Sequence, residues 1–138
     1  WGCVQGVSRL VQKYLGLRHE YGNIDCIELI RSFYKNELKL NFGLPAYPHS
    51  RDWMKHFHIQ KVDEWASKCS TKVKLTDAKN YDVMVFKSEK YDLAIHFGMY
   101  LMPSKLLHIE EGGCSCVQTL SDYWMNRLHA IYRHNDMV

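Results

Sequence analysis

The stretch Asn23-Ile24-Asp25-Cys26-Ile27-Glu28-Leu29 spells out the start of a helix. Asp25 has the short acceptor side chain that satisfies the unpaired N–H groups of a first turn, and Glu28, three residues on, completes a capping box. Ile24 and Leu29 occupy the two positions of a hydrophobic staple. The helix beyond presents Ile27, Ile30, Tyr34 and Leu38 on one stripe with Leu29 and Phe33 beside it, and must stop before Gly43 and Pro45.

Upstream, Val7, Leu10, Val11, Tyr14 and Leu15 recur at helical spacing and Gly16 comes next, where a C-terminal glycine belongs, which predicts a helix over residues 5–15. Downstream, Pro45, Pro48 and His49-Ser50 read as loop, succeeded by two short helical pieces over 51–57 and 62–68. After Tyr81 the period changes to two. Strands are predicted over 82–87, 93–102, 105–110 and 115–117, then a helical turn over 121–125 and a last strand over 127–133. The connections between the strands are too short for crossovers, so an antiparallel meander is expected. Helices first and strands second make an α+β fold, with N-terminal helices packed on an antiparallel β-sheet.

At 138 residues the chain reads as a single domain over 1–138. Its 46% hydrophobic, 13% aromatic and 24% charged residues exclude disorder, collagen and coiled coil. Eighteen Lys and Arg against fifteen Asp and Glu leave a scattered +3, so no nucleic-acid partner is indicated. No apolar run approaches a membrane span, and the first residues lack the pattern of a secretion signal, so no membrane partner is expected. Five cysteines, Cys3, Cys26, Cys69, Cys114 and Cys116, are too few and too irregular for a disulfide scaffold and point to synthesis in a reducing compartment.

Cys26 is the first helical residue, where unpaired N–H groups and the positive end of the macrodipole favour a thiolate. A nucleophile needs a base. In the strand Ala94-Ile95-His96-Phe97-Gly98-Met99-Tyr100, alternation puts Ile95, Phe97, Met99 and Leu101 on an apolar core face and His96 on the other between Ala94 and Gly98. Those small neighbours would let a helix approach closely, with Cys26 as the side chain that reaches the imidazole. His108, in the next strand, can lie beside His96 and fix its tautomer.

In order and spacing these segments resemble the NlpC/P60 family of cysteine peptidases, and within it the small versions found in phage tails. Val11-Gln-Lys-Tyr-Leu-Gly-Leu17, Tyr21-Gly22 and Asp25-Cys-Ile-Glu-Leu-Ile-Arg31 are similar to its first helix, loop and Asp-Cys helix. Tyr81-Asp-Val-Met-Val-Phe86, His96-Phe-Gly-Met-Tyr-Leu101 and Leu107-His108 are similar to its three core strands, and Tyr123-Trp124, Arg127 and Tyr132-Arg133 to the closing segment of phage-tail members. The resemblance implies a papain-like NlpC/P60 core with Cys26 as nucleophile, His96 as base and His108 as its orienting partner. It also implies that His19, Tyr21 and Asp25 border the substrate, His19 standing where the family carries a tyrosine associated with the oxyanion. Ile27-Glu28 replaces the family's Ser-Gly, and the stretch from Pro45 to Asn80 is longer than in minimal members.

The same resemblance implies cleavage of peptidoglycan stem peptides, typically between D-glutamate and a diamino acid, with no metal or cofactor. The protein would be made in the host cytoplasm, carried in the virion as part of the phage tail beside other tail proteins, and act on the bacterial cell wall. One alternative is a tail-tip structural subunit that keeps the fold and cleaves little; another is acyl transfer by the same residues. Metal binding by His56-Phe-His58 and Cys114-Ser-Cys116 is a third, but the spacing is not that of a zinc knuckle. The histidines read as a solvated helix face, the cysteines as edge residues, and Trp53, Trp65 and Trp124 as core anchors.

Overall fold

The computed structural model describes residues 8–44 and 57–137. Its elements are α1 (Arg9–Gln12), α2 (Cys26–Phe33), α3 (Ile59–Ser67), β1 (Ser70–Val73), β2 (Val83–Lys87), β3 (Ala94–Leu101), β4 (Lys105–His108), β5 (Cys116–Thr119), α4 (Asp122–Met125) and β6 (Leu128–His134). The strands form one six-stranded sheet in the order β1-β6-β2-β3-β4-β5, with each neighbouring pair antiparallel. Among the described residues no helix is long and apolar enough to cross a membrane.

α2 starts where Asp25 predicts, and it buries Cys26, Ile27, Leu29, Ile30 and Phe33. Past Phe33 the helix widens into a π-type turn over Tyr34–Leu38 and ends at Lys39, which has a left-handed φ of 58°. Tyr34 stays fully buried through the change, so the apolar stripe is kept. α1 is shorter than the 5–15 expected, because past Gln12 the helix tightens into three-residue turns, with Tyr14 donating to the Val11 carbonyl at 2.9 Å and Leu15 to that of Gln12 at 3.3 Å; residues 5–7 lie outside the described ones. Gly16 turns at φ 74° and donates its N–H to the Ser115 carbonyl at 2.9 Å, which draws this segment toward the start of β5. The predicted helical piece over 51–57 lies outside the described residues except for Phe57, which is irregular and buried against Phe97 and Trp65. α3 begins three residues before the expected start, since His58 Nδ1 accepts from the Gln60 N–H at 3.2 Å and caps it. The cap replaces the solvated-face reading of this histidine.

β2 to β5 make the expected meander. β6 departs from it: instead of extending past β5, it returns to lie between β2 and β1. α4 carries the chain back across the sheet, anchored by Trp124 in a small cluster with Ala78, Met84, Phe86, Tyr100, Leu106 and Ile131. β1 has no counterpart among the expected strands. Its Ser-Thr-Lys-Val has no apolar alternation, and it forms through backbone pairing with β6 from Ser70↔His134 to Val73↔Ile131.

Both faces of the sheet are therefore covered. The larger cluster packs α2 against Val83, Val85, Phe97, Met99, Leu107, Val117 and Tyr132. Ile95, expected with Phe97 and Met99, packs instead with the Trp124 cluster. The cause is a bulge: Phe86 pairs with His96 but Lys87 pairs with Ala94, leaving Ile95 as the extra residue that resets the alternation. The close helix approach expected over Gly98 is also overturned. A Cβ there would stand 2.9 Å from Leu106 Cγ and closer still to Cδ1, so Gly98 makes room for a side chain of β4. α2 packs on the opposite face.

Candidate active site

Asp25 is fully buried and holds three backbone donors. Its Oδ1 accepts from the N–H groups of Ile27 at 3.0 Å and Glu28 at 2.8 Å, and Oδ2 accepts from Gly22 at 2.8 Å. One carboxylate thus fastens the preceding loop to the start of α2, and a cap of this kind contributes about 1 kcal/mol. Cys26, directly after it, is 4% exposed. The Glu28 carboxylate turns to Arg31, whose Nε donates to Oε1 at 3.0 Å and Oε2 at 3.2 Å, so its charge is balanced by a neighbour one turn along.

The loop before Asp25 is stitched to the segment that leads into β5. Leu17 donates to Ser115 Oγ at 2.9 Å, Ser115 returns its N–H to the Leu17 carbonyl at 2.8 Å, and His19 donates to the Gly113 carbonyl at 3.0 Å. His19 meets Tyr21 edge to face with ring centroids 4.7 Å apart. Residues 98 positions apart in sequence are thereby held together at one end of the sheet.

His96 and His108 meet directly: His96 Nε2 and His108 Nδ1 are 2.8 Å apart. The pairing of Leu107 with Met99 sets this up, since alternation puts both histidines on the face opposite those two residues. Trp124 covers the pair, stacked on His96 at 4.7 Å and edge-on to His108 at 5.4 Å. Burial pushes the His96 imidazole well below its ordinary value, and the neighbouring His108 and His19 oppose its protonation further. His108 is also pushed down by burial, against the opposing pull of its hydrogen bond to Gln118 and the charge of Glu110. Two neutral imidazoles in contact are the result.

Of the residues named from sequence, the structure joins His96 to His108, sets Asp25 at the root of α2 with Cys26 as its first residue, and pairs His19 with Tyr21. Gln118 and Trp124 join the site from outside the residues that sequence reasoning assigned to it. Gln118 lies two residues past Cys116 on β5, and its signal is the alternation that puts it on the face of Leu106, its partner on β4. No group of three or more His, Cys, Asp or Glu suited to a metal ion occurs among the described residues.

The sequence pattern of the NlpC/P60 family matches residues 12–133, which takes in the chain from the end of α1 into the last strand. The chain belongs to the NlpC/P60 family. Its likeness to solved members is one of fold. A Staphylococcus aureus subsp. aureus Mu50 protein described as similar to a lipoprotein of the NLP/P60 family superposes with a TM-score of 0.59 at 17% identity, over 96% of this chain and 43% of that one. The NlpC/p60 domain of the peptidoglycan hydrolase SagA does so with a TM-score of 0.59 at 18% identity, over 90% of this chain and 92% of that domain. Among curated proteins, the tail tip assembly protein K of Escherichia phage lambda is 27% identical over 128 residues. That match takes in 91% of this NlpC/P60 chain and 61% of the phage protein, so the chain spans about three-fifths of that relative's length. The papain-like α+β fold expected from sequence is the one the structure has.

Proposed function

We propose that this NlpC/P60 domain is a cysteine peptidase that hydrolyses peptidoglycan stem peptides, at the bond between D-glutamate and a diamino acid, and serves in a phage tail. The observation that carries the reading is the buried, uncharged His96–His108 pair. Burying two imidazoles is costly unless they are hydrogen-bonded, and a base kept neutral is what activating a thiol requires. The phage setting is supported by the similarity to tail tip assembly protein K, and the substrate by the family and by the SagA domain's fold.

In this reading the Cys26 thiol, at the end of α2, gives its proton to His96 round the end of the sheet, where His19 of the loop before α2 acts electrostatically on His96, and the sulfur attacks the peptide carbonyl under the positive field of the α2 N-terminus. The N–H groups of Ile27 and Glu28 are committed to Asp25, so they contribute to that field rather than binding the oxyanion directly. His96 Nε2 is engaged with His108, so Nδ1 is the atom that takes the proton and returns it to the leaving amine. Water then hydrolyses the thioester, with His96 again as base; His19 and Tyr21 border the bound peptide, while Asp25, fully buried with both oxygens on backbone N–H groups, acts from behind by fixing the loop that carries them.

Cys26, His96 and His108 are 4%, 6% and 1% exposed, and this burial favours a second reading, a tail subunit that keeps the fold without cutting. Digestion of purified stem peptides by the wild-type protein and Cys26→Ala, with products read by mass spectrometry, separates the two. Cleavage by the wild type alone establishes the peptidase and identifies the bond; absence of cleavage by both folded proteins across several wall chemotypes leaves the structural subunit.

A further inference from the structure

Gln118 is the outer end of a hydrogen-bond chain that runs inward from β5: its Oε1 lies 2.7 Å from His108 Nε2, and His108 Nδ1 lies 2.8 Å from His96 Nε2. We propose that Gln118 is a positioning residue that sets the tautomers of both imidazoles and so decides which nitrogen of His96 acts as the base. This role rests on the peptidase reading for its catalytic meaning, though not for its geometry.

Counting protons gives the chain its direction. An amide oxygen accepts and does not donate, so the contact with Gln118 requires the proton of His108 to sit on Nε2. A neutral imidazole carries one N–H, which leaves a lone pair on His108 Nδ1. That atom can only accept, so His96 must donate from Nε2. The lone pair of His96 is then on Nδ1. Were the chain to run the other way, His96 Nδ1 would hold a proton at rest and could not take one from a thiol. Both rings are buried enough to be neutral, which keeps the count at one proton each.

Gln118 is suited to this task by where it sits and by what it lacks. Pairing of Leu106 with Gln118 and Leu107 with Val117 fixes its backbone, and Val117 is buried in the main cluster, so the side chain is aimed by the sheet. It is uncharged. A carboxylate in its place would also accept from His108 but would draw a second proton onto the pair, whereas the amide gives direction without charge. When His96 takes the thiol proton at Nδ1, the N–H at Nε2 stays in its bond to His108, and the imidazolium remains aligned until the proton passes to the leaving amine.

The test is the ¹⁵N spectrum of imidazole-labelled protein at pH 8, assigned through bonds, which reads tautomers without substrate. Wild type is expected to show both histidines protonated at Nε2 with bare Nδ1 atoms. Gln118→Glu should keep both Nε2 atoms protonated while raising the pH at which His96 Nδ1 takes a second proton, and Gln118→Met, similar in shape but with no strong acceptor, should lose the pattern as the rings exchange between tautomers. The kcat of Gln118→Met should fall about 10- to 100-fold, the range that outer hydrogen-bond partners of functional histidines command, with KM held within about twofold. A wild-type His96 protonated at Nδ1, or tautomers unchanged in a folded Gln118→Met, would overturn the proposal. If the tautomers are as expected and no stem peptide is cut, the peptidase reading fails while the role of Gln118 in ordering the pair stands.

Discussion

Trp124 lies face to face with His96, ring centroids 4.7 Å apart and planes inclined by 27°. The same indole meets His108 edge-on and packs on Phe86 at 5.0 Å, so one side chain from α4 roofs the histidine pair and closes the smaller core cluster. This cover contributes to the burial that keeps His96 neutral. Trp124→Ala should raise the His96 pKa toward the ordinary histidine value in an NMR titration and cost about 3–5 kcal/mol in urea unfolding. Trp124→Phe, which keeps a ring over His96, should show a smaller effect on both; an unmoved titration in the alanine variant would assign the neutrality to another source.

Acid should destabilise the protein through the same pair. Both folded-state pKa values lie below the ordinary 6.5, so the unfolded chain takes up protons first. The contribution is fully present above about pH 6.5 and is lost as the pH falls from there through the folded values, at up to about 1.4 kcal/mol per pH unit for each histidine. Glu37 and Asp63, whose carboxyls are held below their ordinary range, lose their contribution only at lower pH. Urea midpoints should therefore fall between pH 7.5 and pH 5, and His108→Gln should flatten that slope. Equal stability at the two pH values would contradict the buried neutral pair.

Gly98 is required by Leu106. Gly98→Ala should cost about 1–3 kcal/mol, because its Cβ meets the Leu106 side chain inside a packed layer. Shortening that side chain in Gly98→Ala/Leu106→Val should recover part of the loss, measured as a double-mutant cycle in urea. Additive losses in the cycle would show that the two positions do not compete for the same space.

Asp25→Ala removes the acceptor for three backbone N–H groups at once, those of Gly22, Ile27 and Glu28. A loss of about 2 kcal/mol is expected, at the upper end for a cap, since Asp25 is fully buried. Amide exchange should rise at Gly22 and Ile27 before it rises in β2 and β3, and exchange confined to the sheet would argue against a local role.

The features legible in the sequence are those that depend on near neighbours along the chain. Asp25 caps α2 because its side chain reaches N–H groups two and three residues on, and β2, β3 and β4 alternate because successive side chains enter the two core clusters on opposite faces of the sheet. The position of β6 between β1 and β2 is hidden from such a reading, since it is set by α4 crossing the far face through Trp124. β1 is hidden too, as a polar segment made into a strand by a neighbour's backbone. Gly98 stands out as special, but its reason lies in the next strand.

Sequence alone determined that helices precede a meander, that Cys26 begins a capped helix, and that histidines lie on two successive strands, because caps and periodicity act over a few residues. Only the tertiary structure decided that His96 and His108 touch, that Trp124 covers them and that Gln118 completes the chain of hydrogen bonds. Those contacts depend on register, on the bulge at Ile95 and on which face a crossing helix takes, and all three are settled by packing between segments far apart in the chain.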